Sequence, residues 1–232
     1  MNIRSFINQL FPRPCLLCGD EAGSGHLCPA CVTDLPWHTQ PQCPQCATPT
    51  PLGQTCGACL KRPPAFDRTL AALGYTFPLD RLIPRLKYHG RLAIAPALGE
   101  CLARAAEGAP VPDRLIPMPL HAKRIRERGF NHATEIARDV AKRLGLPLDT
   151  SSCQRTRDTP PQMGLARDAR RRNLHGAFAC SGDVGGQRIA LIDDVMTTGT
   201  SLDELAATLK QAGAREVTCW VAARTLPPGD PQ

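Results

Sequence analysis

Near the end of the 232-residue chain, nine consecutive residues bring two carboxylates, a glycine and four hydroxyls together: Asp193-Asp194-Val195-Met196-Thr197-Thr198-Gly199-Thr200-Ser201. An apolar run of strand length, Gln187 to Ile192, precedes them, and helical periodicity follows from Ser201 to Gln211. Backbone N–H groups at a helix start lack internal partners and carry partial positive charge, so they make a ready anion site. Gly199 lets the backbone turn closely around such a ligand, and the hydroxyls of Thr197, Thr198, Thr200 and Ser201 complete a phosphate's hydrogen bonds. Two acids beside an anion site make sense when the same ligand carries neutral hydroxyls. Asp193 and Asp194 would accept hydrogen bonds from a ribose diol, and one or both would hold or orient a magnesium ion. The spacing therefore points to a phosphorylated sugar. Ser201 and Glu204 also fit a capping box, which is ordinary helix-start chemistry.

A second chemistry lies at the other end. Of twelve cysteines, eight form C-x-x-C pairs: Cys15/Cys18, Cys28/Cys31, Cys43/Cys46 and Cys56/Cys59. The pattern C-x2-C-x9-C-x2-C at Cys15 to Cys31 recurs at Cys43 to Cys59, 28 residues later. Two such pairs present four thiolates to one tetrahedral ion, and a site with no open position holds structure rather than doing chemistry. Eight cysteines also permit disulfides, but without an export signal a reducing compartment opposes them. Two structural zinc ions follow, either as sequential ribbons or with the pairs interleaved. Filling both sites would take the formal charge from +7 to about +3. The remaining cysteines, Cys101, Cys153, Cys180 and Cys219, sit in apolar surroundings and read as small buried residues.

The net charge of +7 is local: between Leu120 and Arg172 stand thirteen Lys/Arg against six Asp/Glu. A concentrated surplus suggests an anionic partner, either a phosphate-bearing small molecule or a nucleic acid. No stretch approaches the apolar length of a membrane span, and the first residues lack the run and cleavage site of a signal peptide. Ile3, Phe6, Ile7, Leu10 and Phe11 mark one face of a short helix instead. The chain is read as cytoplasmic.

The elements that must position these residues are those of an α/β fold. Pro63-Pro64 ends the cysteine-rich segment, dividing the chain into 1–63 and 64–232. Strands are expected at Arg68–Thr76, Asp113–Met118, Leu146–Cys153, Ala177–Cys180, Gln187–Ile192 and Glu216–Ala222. Helices are expected at Leu79–Tyr88, Leu92–Ala106, Phe130–Leu144 (closed by Gly145) and Ser201–Gln211, with Pro84 and Pro96 weakening two of them. Strand, loop, helix and strand from Gln187 to Ala222 make a βαβ unit, which implies a parallel sheet with right-handed crossovers. In such sheets ligands sit beyond the carboxyl ends of the strands, where the loop Asp193 to Thr200 falls.

The run I-A-L-I-D-D-V-M-T-T-G-T-S resembles the signature of type I phosphoribosyltransferases. Together with C-P-x-C, I-P-M-P-L, R-E-R-G-F-N, R-x-R-x-T-P-P-Q and R-R-x-N-L-H-G-A-F in this order, it resembles the ComF/GntX family over nearly the whole chain. The resemblance implies a type I phosphoribosyltransferase-like parallel sheet flanked by helices, behind a small N-terminal double zinc ribbon. It implies that Asp193 and Asp194 contact ribose hydroxyls and Thr197, Thr198, Gly199, Thr200 and Ser201 the 5-phosphate. Pro119, Leu120, His121 and Arg128 would meet the pyrophosphate of 5-phosphoribosyl pyrophosphate, accompanied by magnesium. Arg155 and Arg157 would open a flexible basic loop, Arg155 to Arg172, that closes over it. Arg124 and Arg126 follow the pyrophosphate loop. The family reads G-F-N-Q where this chain has Gly129-Phe130-Asn131-His132.

Three functions are compatible with these residues: transfer of the phosphoribosyl group to an acceptor, sensing of the sugar-phosphate without turnover, and handling of single-stranded nucleic acid. The resemblance implies a link to DNA uptake in competence, with single-stranded DNA or DNA-uptake proteins as partners. Against a nucleic-acid module, Phe130 is the only aromatic in the basic region before Phe178, so stacking platforms are scarce there. No Ser/His/Asp or Cys/His nucleophile constellation is present, and departure of pyrophosphate from a sugar carbon needs none. The acceptor is not readable from these residues.

Overall fold

A computed structural model describes residues 13–158 and 174–226. The N-terminal helix expected from Ile3 to Phe11 and most of the basic loop lie outside them. Four strands run parallel in one sheet: β1 (Arg68–Gly74), β2 (Arg114–Pro117), β5 (Arg188–Met196) and β6 (Glu216–Arg224), in the order β1-β6-β5-β2. Pairings such as Ile192↔Trp220 and Pro117↔Ile192 set the register. The βαβ unit is present as β5, α7 (Thr200–Gln211) and β6.

Successive residues of a strand face opposite sides, and β5 sorts its core accordingly. Ala190 and Ile192 join an apolar cluster with α3 (Leu79–His89), α4 (Ile94–Ala105) and α6 (His132–Leu144). Ile189 and Leu191 join a second cluster with α7 and the hairpin of β3 (Cys153–Arg155) and β4 (Phe178–Cys180). Helix α4 crosses α6 at Gly99, where a Cβ would come within 2.7 Å of Asp139 Cβ, so the close approach requires glycine. Gly145 closes α6 in the left-handed region at φ 66°, as expected. Helix α3 runs through Pro84 without a break in its assigned span.

Two expectations fail. The segment from Leu146 is not a full strand: it meets the sheet edge at one bridge, Leu115↔Leu148. It then turns away because Asp149 accepts hydrogen bonds from Ser151 N and Ser152 N and pairs with Arg114 at 3.0 Å. Only Cys153 onward is strand, in the separate hairpin. The acids Asp193 and Asp194 also lie inside a strand rather than in a loop, because β5 continues to Met196.

The N-terminal segment packs on this domain. Helices α1 (Pro29–Thr33) and α2 (Gly57–Lys61) start at equivalent positions of the two cysteine repeats, behind Cys28 and Cys56. Pro36 to His38 runs antiparallel beside β1, through His38 N to Ala72 O at 3.0 Å and Gly74 N to Pro36 O at 2.7 Å, and so covers a sheet edge. Cys15, Ala22, Leu27, Cys28 and Leu35 belong to the first apolar cluster and Ala47 to the second. The sequence boundary at residue 63 is thus crossed by both cores.

Candidate functional site

The cysteines resolve into two sequential groups, Cys15/Cys18/Cys28/Cys31 and Cys43/Cys46/Cys56/Cys59, each with its sulfurs within 4.8 Å of one another. Cys18 and Cys28 Sγ are 3.6 Å apart, as are Cys46 and Cys56. A tetrahedron with zinc–sulfur arms of about 2.3 Å has edges of about 3.8 Å, so the sulfurs fit zinc. Burial opposes a thiolate at Cys15, yet backbone N–H groups of Cys18 and Cys28 pull its pKa down to about 6. These are two zinc-binding sites, and the interleaved pairing is excluded.

At the end of β5 the two acids meet different surroundings. Asp194 is 2% exposed. Its Oδ1 accepts from Val195 N at 2.7 Å, while Oδ2 lies 2.8 Å from Lys87 Nζ and 3.4 Å from His132 Nε2. The Lys87 contact is an ion pair without a well-aligned hydrogen bond at Oδ2. Burial opposes the charge on Asp194, but His132 and Lys87 together hold its carboxyl below the usual range. Burial pushes His132 down to about 4, so it is neutral at pH 7. The standing counter-charge is therefore Lys87, whose ammonium, opposed by burial, is held by Asp194 above its ordinary pKa. Asp193 is half-buried, its Oδ1 accepting from Asp194 N at 2.9 Å, and its carboxylate lies within 4.8 Å of ligand atoms of Asp194 and His132. Burial, then the neighbouring Asp194 charge, pushes Asp193 up to about 7.

Beyond Met196 the chain turns through Thr197 and Thr198 to Gly199, which sits in the left-handed region at φ 75° and precedes α7. At this φ any residue with a Cβ would be strained whatever the space around it, so the turn favours glycine. The expected capping box does not form. Gly199 is the N-cap, no side chain caps the helix, and the Glu204 carboxylate instead accepts from Gly176 N at 2.7 Å. Thr198 and Thr200 hydroxyls share a 2.8 Å hydrogen bond. Thr197 is exposed, and Ser201 is half-buried in the first turn.

Facing this turn across the sheet end, Pro119 is buried and Leu120 half-buried after β2. His121 caps a helix absent from the sequence expectations, α5 (Ala122–Arg128), by accepting from Lys123 N at 3.3 Å. Arg124, Arg126 and Arg128, which follow the loop Pro119–His121, are therefore helical. Arg128 lies 3.0 Å from His132 Nδ1 and over the Tyr88 ring at 5.4 Å. Lys87, Tyr88, Gly90, Arg124, Arg128 and Phe130 line a cavity of about 250 Å³.

Arg155, on β3, stacks over Phe178 at 5.7 Å. Burial, then Arg124, lowers its pKa, while Asp158 and Asp193 oppose the shift, so Arg155 shares the electrostatic field of Asp193. Arg157 is turned away, donating to His175 O at 2.6 Å. Asp158 reaches α5, 3.3 Å from Lys123 Nζ. The rest of the basic loop, up to Arg172, lies outside the described residues.

Three residues escaped the sequence reading: Lys87, Tyr88 and Arg224. Lys87 had a weak signal as a cation in the last turn of an amphipathic helix capped by Gly90. Arg224, buried at the end of β6 and 7% exposed, had none.

A parallel sheet with such a turn beyond its carboxyl end, joined to two four-cysteine ribbons, defines a phosphoribosyltransferase-like domain carrying a double zinc ribbon. Comparison with known families agrees: residues 6–60 match the double zinc ribbon domain and residues 131–227 the phosphoribosyl transferase domain. The chain is 35% identical to the DNA utilization protein YhgH of Salmonella typhi over 224 residues, covering 93% of this chain and 98% of that protein. It is 32% identical to Competence protein F of Haemophilus influenzae, covering 85% and 90% respectively. The chain belongs to the ComF/GntX family.

Solved structures show looser likenesses. The glutamine phosphoribosylpyrophosphate amidotransferase of B. subtilis is 22% identical with a TM-score of 0.39, covering 55% of this chain and 26% of that one. The purine phosphoribosyltransferase of Pyrococcus horikoshii Ot3 is 18% identical with a TM-score of 0.35, covering 58% and 88%. Likenesses at this level carry no argument about function. Among the described residues no helix is long and apolar enough to cross a membrane.

Proposed function

We propose that this protein binds 5-phosphoribosyl pyrophosphate at the carboxyl end of β5 and transfers its phosphoribosyl group to an acceptor nucleophile. The observation that carries the reading is the juxtaposition of an uncapped helix start at Thr200, a tight turn at Gly199 and the half-buried carboxylate of Asp193. In this reading the first-turn N–H groups of α7, with the Thr197 and Ser201 hydroxyls, hold the 5-phosphate. Asp193 accepts from the ribose diol. Asp194, already engaged by Lys87 and His132, orients those two groups and does not contact the sugar. Arg128 and Lys87 supply positive charge where the pyrophosphate departs, with Pro119, Leu120 and His121 forming the backbone path beside it.

His132, Asp193 and Asp194 lie close enough together to hold a cation. Because Lys87 already neutralises Asp194, a magnesium ion would be held through Asp193, where it would neutralise charge on the diphosphate. Arg155 shares the field of Asp193, and we assign it, rather than Arg157, to the ligand.

The relatives' names, DNA utilization and competence, supply the biological setting we propose, in the cytoplasm. Release of pyrophosphate measured across nitrogenous bases, amines and single-stranded DNA tests transfer. Acceptor-dependent release supports it; tight binding with no release under any acceptor leaves a sensor instead.

A further inference from the structure

The second ribbon and the turn Thr197–Ser201 are joined by a side chain. Arg224 Nε donates to Cys46 O at 2.8 Å and Nη2 to Thr48 Oγ1 at 2.9 Å. Its Nη1 donates to Met196 O at 2.9 Å and to the carbonyl of Thr197. Cys46 is a zinc ligand, and its sulfur lies 3.2 Å from the same Thr48 hydroxyl. A second link runs through the segment after α2. Ala65 N donates to Asp203 Oδ1 at 2.7 Å, in the first turn of α7, and a Cβ on Gly199 would sit 3.7 Å from the Phe66 ring. Between these links, Gly57 to Arg62 and Thr198 to Thr200 face each other across a cleft of about 450 Å³. The first ribbon docks elsewhere, with its buried Cys15, Ala22, Leu27 and Cys28 in the α4 cluster and His26 3.7 Å from Glu100.

We propose that the second zinc site is part of the sugar-phosphate site, with Arg224 the positioning residue that couples metal at Cys43, Cys46, Cys56 and Cys59 to the turn Thr197–Ser201. The inference rests on the reading of that turn as a phosphate cradle. A guanidinium is a rigid planar fork of donors. By binding carbonyls of both segments it fixes the orientation of the Met196 and Thr197 peptides, and hence of the N–H groups that follow them. Without metal the Cys43–Cys46 knuckle loses its tether. Arg224 would then be left buried with its ribbon acceptors, Cys46 O and Thr48 Oγ1, displaced, and the turn would lose its fixed geometry. Coupling between two binding sites is reciprocal, so a ligand on the turn must tighten zinc at the second ribbon and not at the first.

The test uses the full-length, zinc-loaded chain with ribose 5-phosphate as the probe. Calorimetry measures its affinity, and titration with a colorimetric chelator measures removal of the two zinc ions. Saturating ribose 5-phosphate should raise the chelator concentration needed to remove one zinc about tenfold and leave the other unchanged. Arg224→Lys keeps the charge but lacks the fork. It should retain two zinc ions, bind ribose 5-phosphate about tenfold more weakly, and lose the protection. Thr48→Val, which removes one acceptor and leaves the guanidinium, should lose roughly threefold; it carries the test if Arg224→Lys does not fold. Binding by the wild type with no protection of either zinc, or unchanged binding by both folded variants, overturns the coupling while the site reading stands. No binding by the wild type overturns both.

Discussion

Asp193 and Asp194 are neighbours in sequence that differ in burial and in partners. The face of β5 that carries Asp194 belongs to α3, α4 and α6, and there the carboxylate is buried against Lys87 and His132. Asp193 is half-buried, with Arg155 in its field, and its carboxylate lies within 4.8 Å of ligand atoms of Asp194 and His132. Two acids of one cluster thus differ in burial and in partners: Asp194 is buried against Lys87 and His132, whereas Asp193 stands half-buried beside it. An acidic pair at a strand end need not be two copies of one function.

The largest expected effect breaks the comparison on the Asp194 side. Asp194→Ala leaves the half-buried Lys87 ammonium without its nearest counter-charge and should cost up to about 3–5 kcal/mol of stability, read from urea unfolding. Asp193→Asn should cost little, since its carboxylate is already disfavoured by burial and by Asp194.

The second effect is a pH dependence of opposite sign for His132 and Asp193. His132 has a folded pKa of about 4, below the ordinary 6.5. The unfolded chain therefore binds the extra proton, and stability falls as pH drops from about 6.5 towards 4. Over that window wild type should lose about 3 kcal/mol relative to His132→Gln, at 1.36 kcal/mol per pKa unit. Asp193 is raised to about 7, so the native state holds the extra proton and stability is lost as pH rises from about 4 to 7. Relative to Asp193→Asn, the wild type should weaken across that rise. Parallel slopes for the two comparisons would contradict the difference drawn between the buried His132–Asp194 pair and Asp193.

The smallest effect sharpens the Asp193 side. Arg155→Ala should weaken ribose 5-phosphate binding by about 1.5–3 kcal/mol, the range for a charged hydrogen bond, and leave the urea midpoint nearly unchanged. A large loss of stability would show that Arg155 serves the hairpin through Phe178 rather than the ligand.

What could be read ahead of the structure was what is local. The β5–α7–β6 unit shows in its apolar runs, and the cysteine repeat shows its eight ligands because metal spacing is written in neighbouring residues, while the choice between sequential and interleaved pairing needed coordinates. Gly145 announces the end of α6. The failures share a cause. A Ser201–Glu204 capping box satisfies the local pattern, but a peptide from a distant turn, Gly176 N, takes the Glu204 carboxylate. Leu146–Cys153 has strand composition, yet Asp149 turns the backbone and pairs with Arg114. Lys87 and Arg224 matter through partners far away in the chain, 178 residues in the case of Arg224 and Cys46, and no periodicity encodes such a pair. His132 stood out only as a departure from the family's glutamine; its contact with Asp194 needed coordinates.

The most direct measurement is calorimetric titration of 5-phosphoribosyl pyrophosphate, with and without magnesium, into wild type and Asp193→Asn. The account expects the wild type to bind, more tightly with magnesium, and the variant to keep its fold while losing most of the affinity and the magnesium dependence. Equal binding by the two proteins would contradict the assignment of the sugar to the carboxyl end of β5.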